Sequence, residues 1–231
     1  MRGKMQECDK QSMTIFMYGD SFSMSAKVRC TSWIDQLHGK HQLTNRSIAG
    51  ASNHYIFLKF MEDLDRITSD DLVVFCWSEN QRYYQKDPKN SSEINHLYHK
   101  HFYNQHLLEM QSEMYLDKIK AVVKERKIRM LFFWAFPSGY SDSNNWWWTS
   151  SKSISEDGLV YSHTFENEVR PALMYFSRIE IPEENYPIND IRPNHIASQT
   201  LHNELFKIVD DVFHHRLAGQ INLKNRLHDG S

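Results

Sequence analysis

Short apolar runs alternate with longer amphipathic stretches along this chain. Met13–Tyr18 (MTIFMY), Leu72–Trp77 (LVVFCW) and Ile128–Phe136 (IRMLFFWAF) are apolar at nearly every position, and Leu43–Ile48 (LTNRSI) is a shorter, more polar run. Continuous apolarity over so few residues predicts strands buried on both faces. Between them, Ser23–Leu37 carries Met24, Val28, Trp33 and Leu37 at helical spacing, and His54–Ile67 repeats the pattern. A polar, histidine-rich helical stretch at about 94–126 precedes the fourth strand. A last helix is expected over about 194–217, with Ile196, Leu201, Leu205, Ile208, Val209 and Val212 on one face. A fifth strand is expected within Leu173–Ile181.

Strand and helix in alternation imply right-handed βαβ units and a sheet covered on both sides. The expectation is an α/β fold: a three-layer α/β/α sandwich with a mostly parallel, flavodoxin-like, five-stranded sheet. At 231 residues the chain suits one domain. It divides into an extension at 1–12, the domain at 13–217 with an insertion loop or lid at 141–160, and a tail at 218–231. Such sheets take ligands beyond the carboxyl ends of their strands. The loops holding Ser21, Gly50, Asn80 and Pro137 are therefore the ones that matter.

Composition narrows the function classes. A net charge of -2 gives no electrostatic footprint for nucleic acid. No apolar run approaches the ~18 residues of a membrane span, so no membrane partner is expected. The polar opening MRGKMQECDKQS is not a signal peptide, which places the protein in the cytoplasm, or outside it by lysis or assembly. Three scattered cysteines without a CxxC read as reduced thiols. His96, His99, His101 and His106 lack a compact ligand motif, so they read as a solvated helical face and no metal site is assigned.

Ser21 follows the first strand in MYGDSFS. A sharp turn there would expose its hydroxyl beside unpaired backbone N–H groups, although a serine in this position more often caps a helix. Gly19-Asp20-Ser21-Phe22-Ser23 is not the G-x-S-x-G elbow, since the second glycine is missing.

The Gly19-Asp20-Ser21 block at the end of the first strand resembles the first block of the SGNH or GDSL hydrolases. Gly50 stands where that family has its oxyanion glycine. Asn80, in Ser78-Glu79-Asn80-Gln81, stands where it has an oxyanion asparagine, with Ser78 and Gln81 departing from the Gly-x-Asn-Asp pattern. For the last block, Asn189-Asp190-Ile191-Arg192-Pro193 would put arginine at the base position. A second register, Asp190-Ile191-Arg192-Pro193-Asn194-His195, resembles the Asp-x-Arg-x-x-His arrangement of viral-type branches.

The resemblance implies an ester hydrolase with no cofactor. Ser21 is its nucleophile, His195 its base and Asp190 the orienter, and the Ser21 amide, Gly50 amide and Asn80 side chain form the oxyanion hole. Serine needs an imidazole to take its proton and a carboxylate to hold that imidazole's tautomer, which is why these types are required together. His195 also reads as a surface or capping histidine. Asp20, Arg82, Trp146, Trp147 and Trp148 are candidate substrate-binding positions. Arg82 suits either an anionic substrate or a nearby acid, and the tryptophans suit either a sugar face or loop packing. The tryptophan-rich segment tilts the substrate toward carbohydrate O-acetyl esters, with oligomer formation left open. The competing class is a non-catalytic virion or assembly protein that keeps the fold for binding.

Overall fold

The computed structural model describes residues 13–25, 31–78, 82, 97–98, 100–102, 104–135, 160–163, 199–216 and 220–221. The apolar runs become the central strands. β1 (Thr14–Gly19) and β3 (Leu72–Trp77) are buried at every position, and β4 (Arg129–Trp134) pairs with β3. β2 (Gln42–Asn45) is more polar and forms a half-buried edge. It stops short of the expected Ile48, and Arg46, just beyond it, points its guanidinium at Asp63.

β5 (Val160–His163) and β6 (Gln220–Ile221) complete an all-parallel sheet in the order β2-β1-β3-β4-β5-β6. The first five strands stand in the expected flavodoxin-like order, and the described residues hold six strands rather than five. β5 begins at the last residue allotted to the insertion, and β6 falls inside the segment allotted to the tail. Neither VYSH nor QI is an apolar run, so pairing with a neighbour rather than composition defines them. The strand expected within Leu173–Ile181 lies outside the described residues.

Strand side chains alternate between two cores, as a period of two requires. Ile15, Met17, Val74, Cys76, Leu131 and Phe133 meet α1 (Trp33–Lys40) and the last helix. Phe16, Tyr18, Val73, Phe75 and Phe132 meet α2 (Asn53–Asp63) and α3 (Gln105–Arg126) on the other face. The last helix, α4 (Gln199–Phe213), buries Leu201, Leu205, Ile208, Val209 and Val212. The three-layer sandwich is thus a consequence of strands that are apolar on both sides.

Helix starts follow capping chemistry more closely than apolar spacing. The helix expected from Ser23 begins at Trp33, where the Ser32 hydroxyl accepts from the Asp35 amide and the Asp35 carboxylate accepts from the Ser32 amide, at 3.0 and 3.3 Å. α2 starts behind Ser52, whose hydroxyl accepts from the Tyr55 amide. Of the four histidines expected on a solvated face, His101 and His106 are exposed, and His96 and His99 lie outside the described residues. Among the described residues no helix is long and apolar enough to cross a membrane.

The chain passes from β1 to β2 on one side and then to β3 on the other. The crevice at the carboxyl ends of β1 and β3 is the switch point where sheets of this order take ligands.

Candidate active site

Gly19 ends β1 opposite Cys76 of β3. A Cβ there would collide with the Ser23 hydroxyl and lie 2.7 Å from Cys76 Cβ and 3.0 Å from the Cys76 carbonyl oxygen. Space alone therefore demands glycine. The chain then folds into a single 3-10 turn, Ser21–Ser23. Its cap is Asp20, not Ser21: the Asp20 carboxylate accepts from the Phe22 amide at 3.0 Å. Ser21 is the first residue inside the turn. The Ser23 amide and hydroxyl both donate to the Asp20 carbonyl, at 3.1 and 3.0 Å. From outside, Trp33 Nε1 donates to the Phe22 carbonyl and Asn45 Nδ2 to the Ser23 carbonyl, each at 2.9 Å.

Asp20 is fully buried. Its second carboxylate oxygen accepts from the Ser78 hydroxyl at 3.1 Å and from Arg82 Nη1 at 3.3 Å. Burial pushes its pKa up to about 6, against the opposing pull of Arg82, the Phe22 amide and the Ser78 hydroxyl. Arg82 thus meets a nearby acid, and that acid is buried. Asp20, expected among the substrate contacts, has its carboxylate enclosed. The Ser78 amide donates to Asn53 Oδ1 at 2.8 Å, and Asn53 Nδ2 donates to the Ser112 hydroxyl at 3.3 Å. The end of β3 is thereby tied to α2 and α3. Replacing Arg82 with methionine removes the cation that favours ionised Asp20, so its titration should move upward from about 6. A carboxyl-carbon NMR titration checks this, and an unchanged midpoint would show that the pair contributes nothing.

The loop after β2 is laid along the end of β1. The Arg46 amide donates to the Met17 carbonyl at 2.8 Å and the Ile48 amide to the Gly19 carbonyl at 3.3 Å. The Ser47 and Ser23 hydroxyls are bonded at 2.9 Å. Gly50 then adopts φ +74°, a left-handed conformation that favours glycine although a Cβ would meet nothing within 4 Å. Its exposed amide donates to no acceptor among the described residues.

Asp63 anchors this loop. Arg46 reaches its carboxylate through Nε at 2.9 Å and Nη2 at 2.7 Å, Arg66 adds a bond at 3.0 Å, and the Tyr18 hydroxyl donates at 3.2 Å. The Arg46 hydrogen bonds hold the Asp63 carboxyl below its ordinary range, despite its burial. A depressed folded pKa means that this contribution is complete above the unfolded value of ~3.9 and disappears as pH falls through the folded value. Asp63→Asn should cost about 2 kcal/mol at pH 7, with Arg46 and Arg66 partly solvated. The gap from wild type should narrow by pH 3 in denaturant unfolding. A gap of equal size at both pH values would contradict the assignment.

Ser21 is only 1% exposed, where an elbow was expected to present its hydroxyl. Asn80, Asp190, His195, Trp146, Trp147 and Trp148 lie outside the described residues. α4, which the chain enters shortly after His195, begins at the same end of the sheet as Ser21. The Gln199 side-chain amide exchanges bonds with the Thr31 backbone at 3.0 and 3.1 Å, and His202 Nδ1 accepts from the Trp33 amide at 3.2 Å. The supporting shell of Ser23, Ser47, Asn53 and Ser78 was not anticipated. Its one sequence signal is a small polar residue directly after an apolar strand, as in LVVFCW-S.

No family model matches the chain, and no curated protein matches it. Among solved structures it is similar to the psychrotrophic esterase EstA from Pseudoalteromonas sp., in a crystal structure inhibited by monoethylphosphonate. The similarity has a TM-score of 0.47 and 14% sequence identity, and it covers 86% of this chain and 97% of that chain.

Proposed function

We propose that this chain is a serine ester hydrolase of SGNH or GDSL type, working through an acyl-enzyme on Ser21. The observation that carries this reading is the convergence of three strand-end loops. The loop leading to Gly50, through Ser47 and Ile48, and the side chains of Ser78 and Arg82 are each bonded to the Gly19–Ser23 turn at the carboxyl edge of β1 and β3. In this reading His195, oriented by Asp190, takes the Ser21 proton as the hydroxyl attacks the ester carbonyl, and returns it to the leaving alkoxide. The Ser21 and Gly50 amides and the Asn80 side chain face the tetrahedral oxyanion, each worth ~3 kcal/mol when aimed at it. Ser78, where the family pattern has glycine, uses its hydroxyl to hold Asp20 and hence the turn. Carbohydrate O-acetyl groups are the proposed substrate, with Trp146–Trp148 stacking on the sugar.

One observation favours a second reading. A buried Ser21 and an enclosed Asp20 also suit a non-catalytic virion or assembly protein that retains the fold. Incubation with a serine-directed phosphonate, followed by peptide mapping, separates the two. Labelling at Ser21 together with turnover of a short-chain aryl ester supports the hydrolase, and an acetylated-oligosaccharide panel then ranks substrates. Absence of both label and turnover in the folded protein supports the binding protein.

A further inference from the structure

We propose a divalent-metal site, suited to zinc, formed by His41, Asp210 and His214 at the end of the sheet opposite the Ser21 turn. His41 closes α1, donating its amide to the Leu37 carbonyl at 2.8 Å, and leads directly into β2. Asp210 and His214 lie four residues apart at the end of α4, a spacing that puts both on one face. His41 Nε2 is 2.7 Å from Asp210 Oδ1, and His214 Nε2 is 3.5 Å from the same oxygen. All three ligand atoms lie within 4.8 Å of one another. Tetrahedral zinc at about 2.0–2.1 Å from nitrogen and oxygen places its ligand atoms about 3.3 Å apart. The observed separations bracket that edge, so small side-chain movements admit the ion.

The two oxygens of Asp210 face different partners. Oδ2 accepts from Lys40 Nζ at 2.8 Å and Arg216 Nη2 at 2.6 Å, while Oδ1 faces the imidazoles. A carboxylate ligand with its outer oxygen held by donors is a common arrangement at metal sites. The two cations also draw charge from the carboxylate, which weakens its hold on an ion relative to a carboxylate without such partners. The side chains of His41 and Asp210 are 5% and 8% exposed, whereas that of His214 is 37% exposed. The site is therefore walled on one side, partly by the Phe213 ring 4.6 Å from that of His41, and open on the other to an ion and a water ligand. On binding, the His41 ring proton passes from Nε2 to Nδ1 through solvent. The ion then joins the α1–β2 junction to the end of α4, and its binding stabilises the fold by mass action.

The test titrates zinc chloride into the metal-free full-length chain by calorimetry and follows the thermal midpoint. One zinc per chain and a raised midpoint are expected. His214→Gln alters a part-exposed side chain and should fold. It should weaken binding at least as much as the ~10–100-fold lost when even an outer-shell partner is removed. A His101→Ala/His106→Ala variant should bind as wild type does. The proposal is overturned by no midpoint rise at saturating zinc, by wild-type affinity in His214→Gln, or by loss of binding in the His101/His106 variant.

Discussion

Ser21→Ala is expected to lower ester hydrolysis by about 10,000-fold or more, with the thermal midpoint close to wild type. On the proposed mechanism, the magnitude follows from losing covalent catalysis while retaining the oxyanion donors, which sustain a residual rate above water. In the proposed mechanism Ser21 and His195 act as one unit, so His195→Ala should lose a comparable factor and the double variant little more. The measurement is aryl-ester turnover in the three variants and wild type, after each is shown to be folded. Retention of the wild-type rate by Ser21→Ala would remove the hydrolase mechanism altogether. A full additive loss in the double variant would mean that Ser21 and His195 serve separate steps.

Gly19→Ala should be the most damaging of the alanine substitutions at the three described glycines. The added carbon meets the Ser23 hydroxyl and lies 2.7 Å from Cys76 Cβ, between two strands paired at that register. Ser23 must leave its bonds to the Asp20 carbonyl and Ser47, and the turn carrying Ser21 shifts with it. Overpacking together with the broken bonds should cost about 2–4 kcal/mol and lower kcat. Two other glycines serve as controls because their reasons differ. Gly39 lies within α1 with nothing within 4 Å of a Cβ, so alanine there should stabilise by up to ~1 kcal/mol. Gly50 has equal space but φ +74°, so alanine there should cost ~1 kcal/mol through the backbone. Denaturant unfolding of the three variants checks the order. A Gly19→Ala protein as stable as Gly39→Ala would refute the packing argument.

Legibility differed by element, for identifiable reasons. β1, β3 and β4 could be read because strands buried on both faces must be apolar throughout. The face of α4 could be read because Leu201, Leu205, Ile208 and Val212 keep helical spacing. The start of α1 was misplaced by ten residues because Met24 and Val28 continue an apolar spacing that the Ser32–Asp35 capping box overrides. β6 has two residues and no periodicity, so only its partner β5 defines it.

The site divides in the same way. That Ser21 follows a buried strand, that Gly50 follows the next strand, and that the sheet is parallel could all be derived from local patterns. Each depends on residues close together in the chain. The cap on the turn, the rise of the Asp20 pKa to about 6, its bonds to Ser78 and Arg82 and the exclusion of a Cβ at Gly19 could not. Asp20 meets Ser78 and Arg82 across separations of 58 and 62 residues, and Gly19 meets Cys76 only through the β1–β3 register. Those energies arise from desolvation and contact, which exist only once distant segments share one interior. Local spacing thus determined where Ser21 stands, and tertiary packing decided what surrounds it.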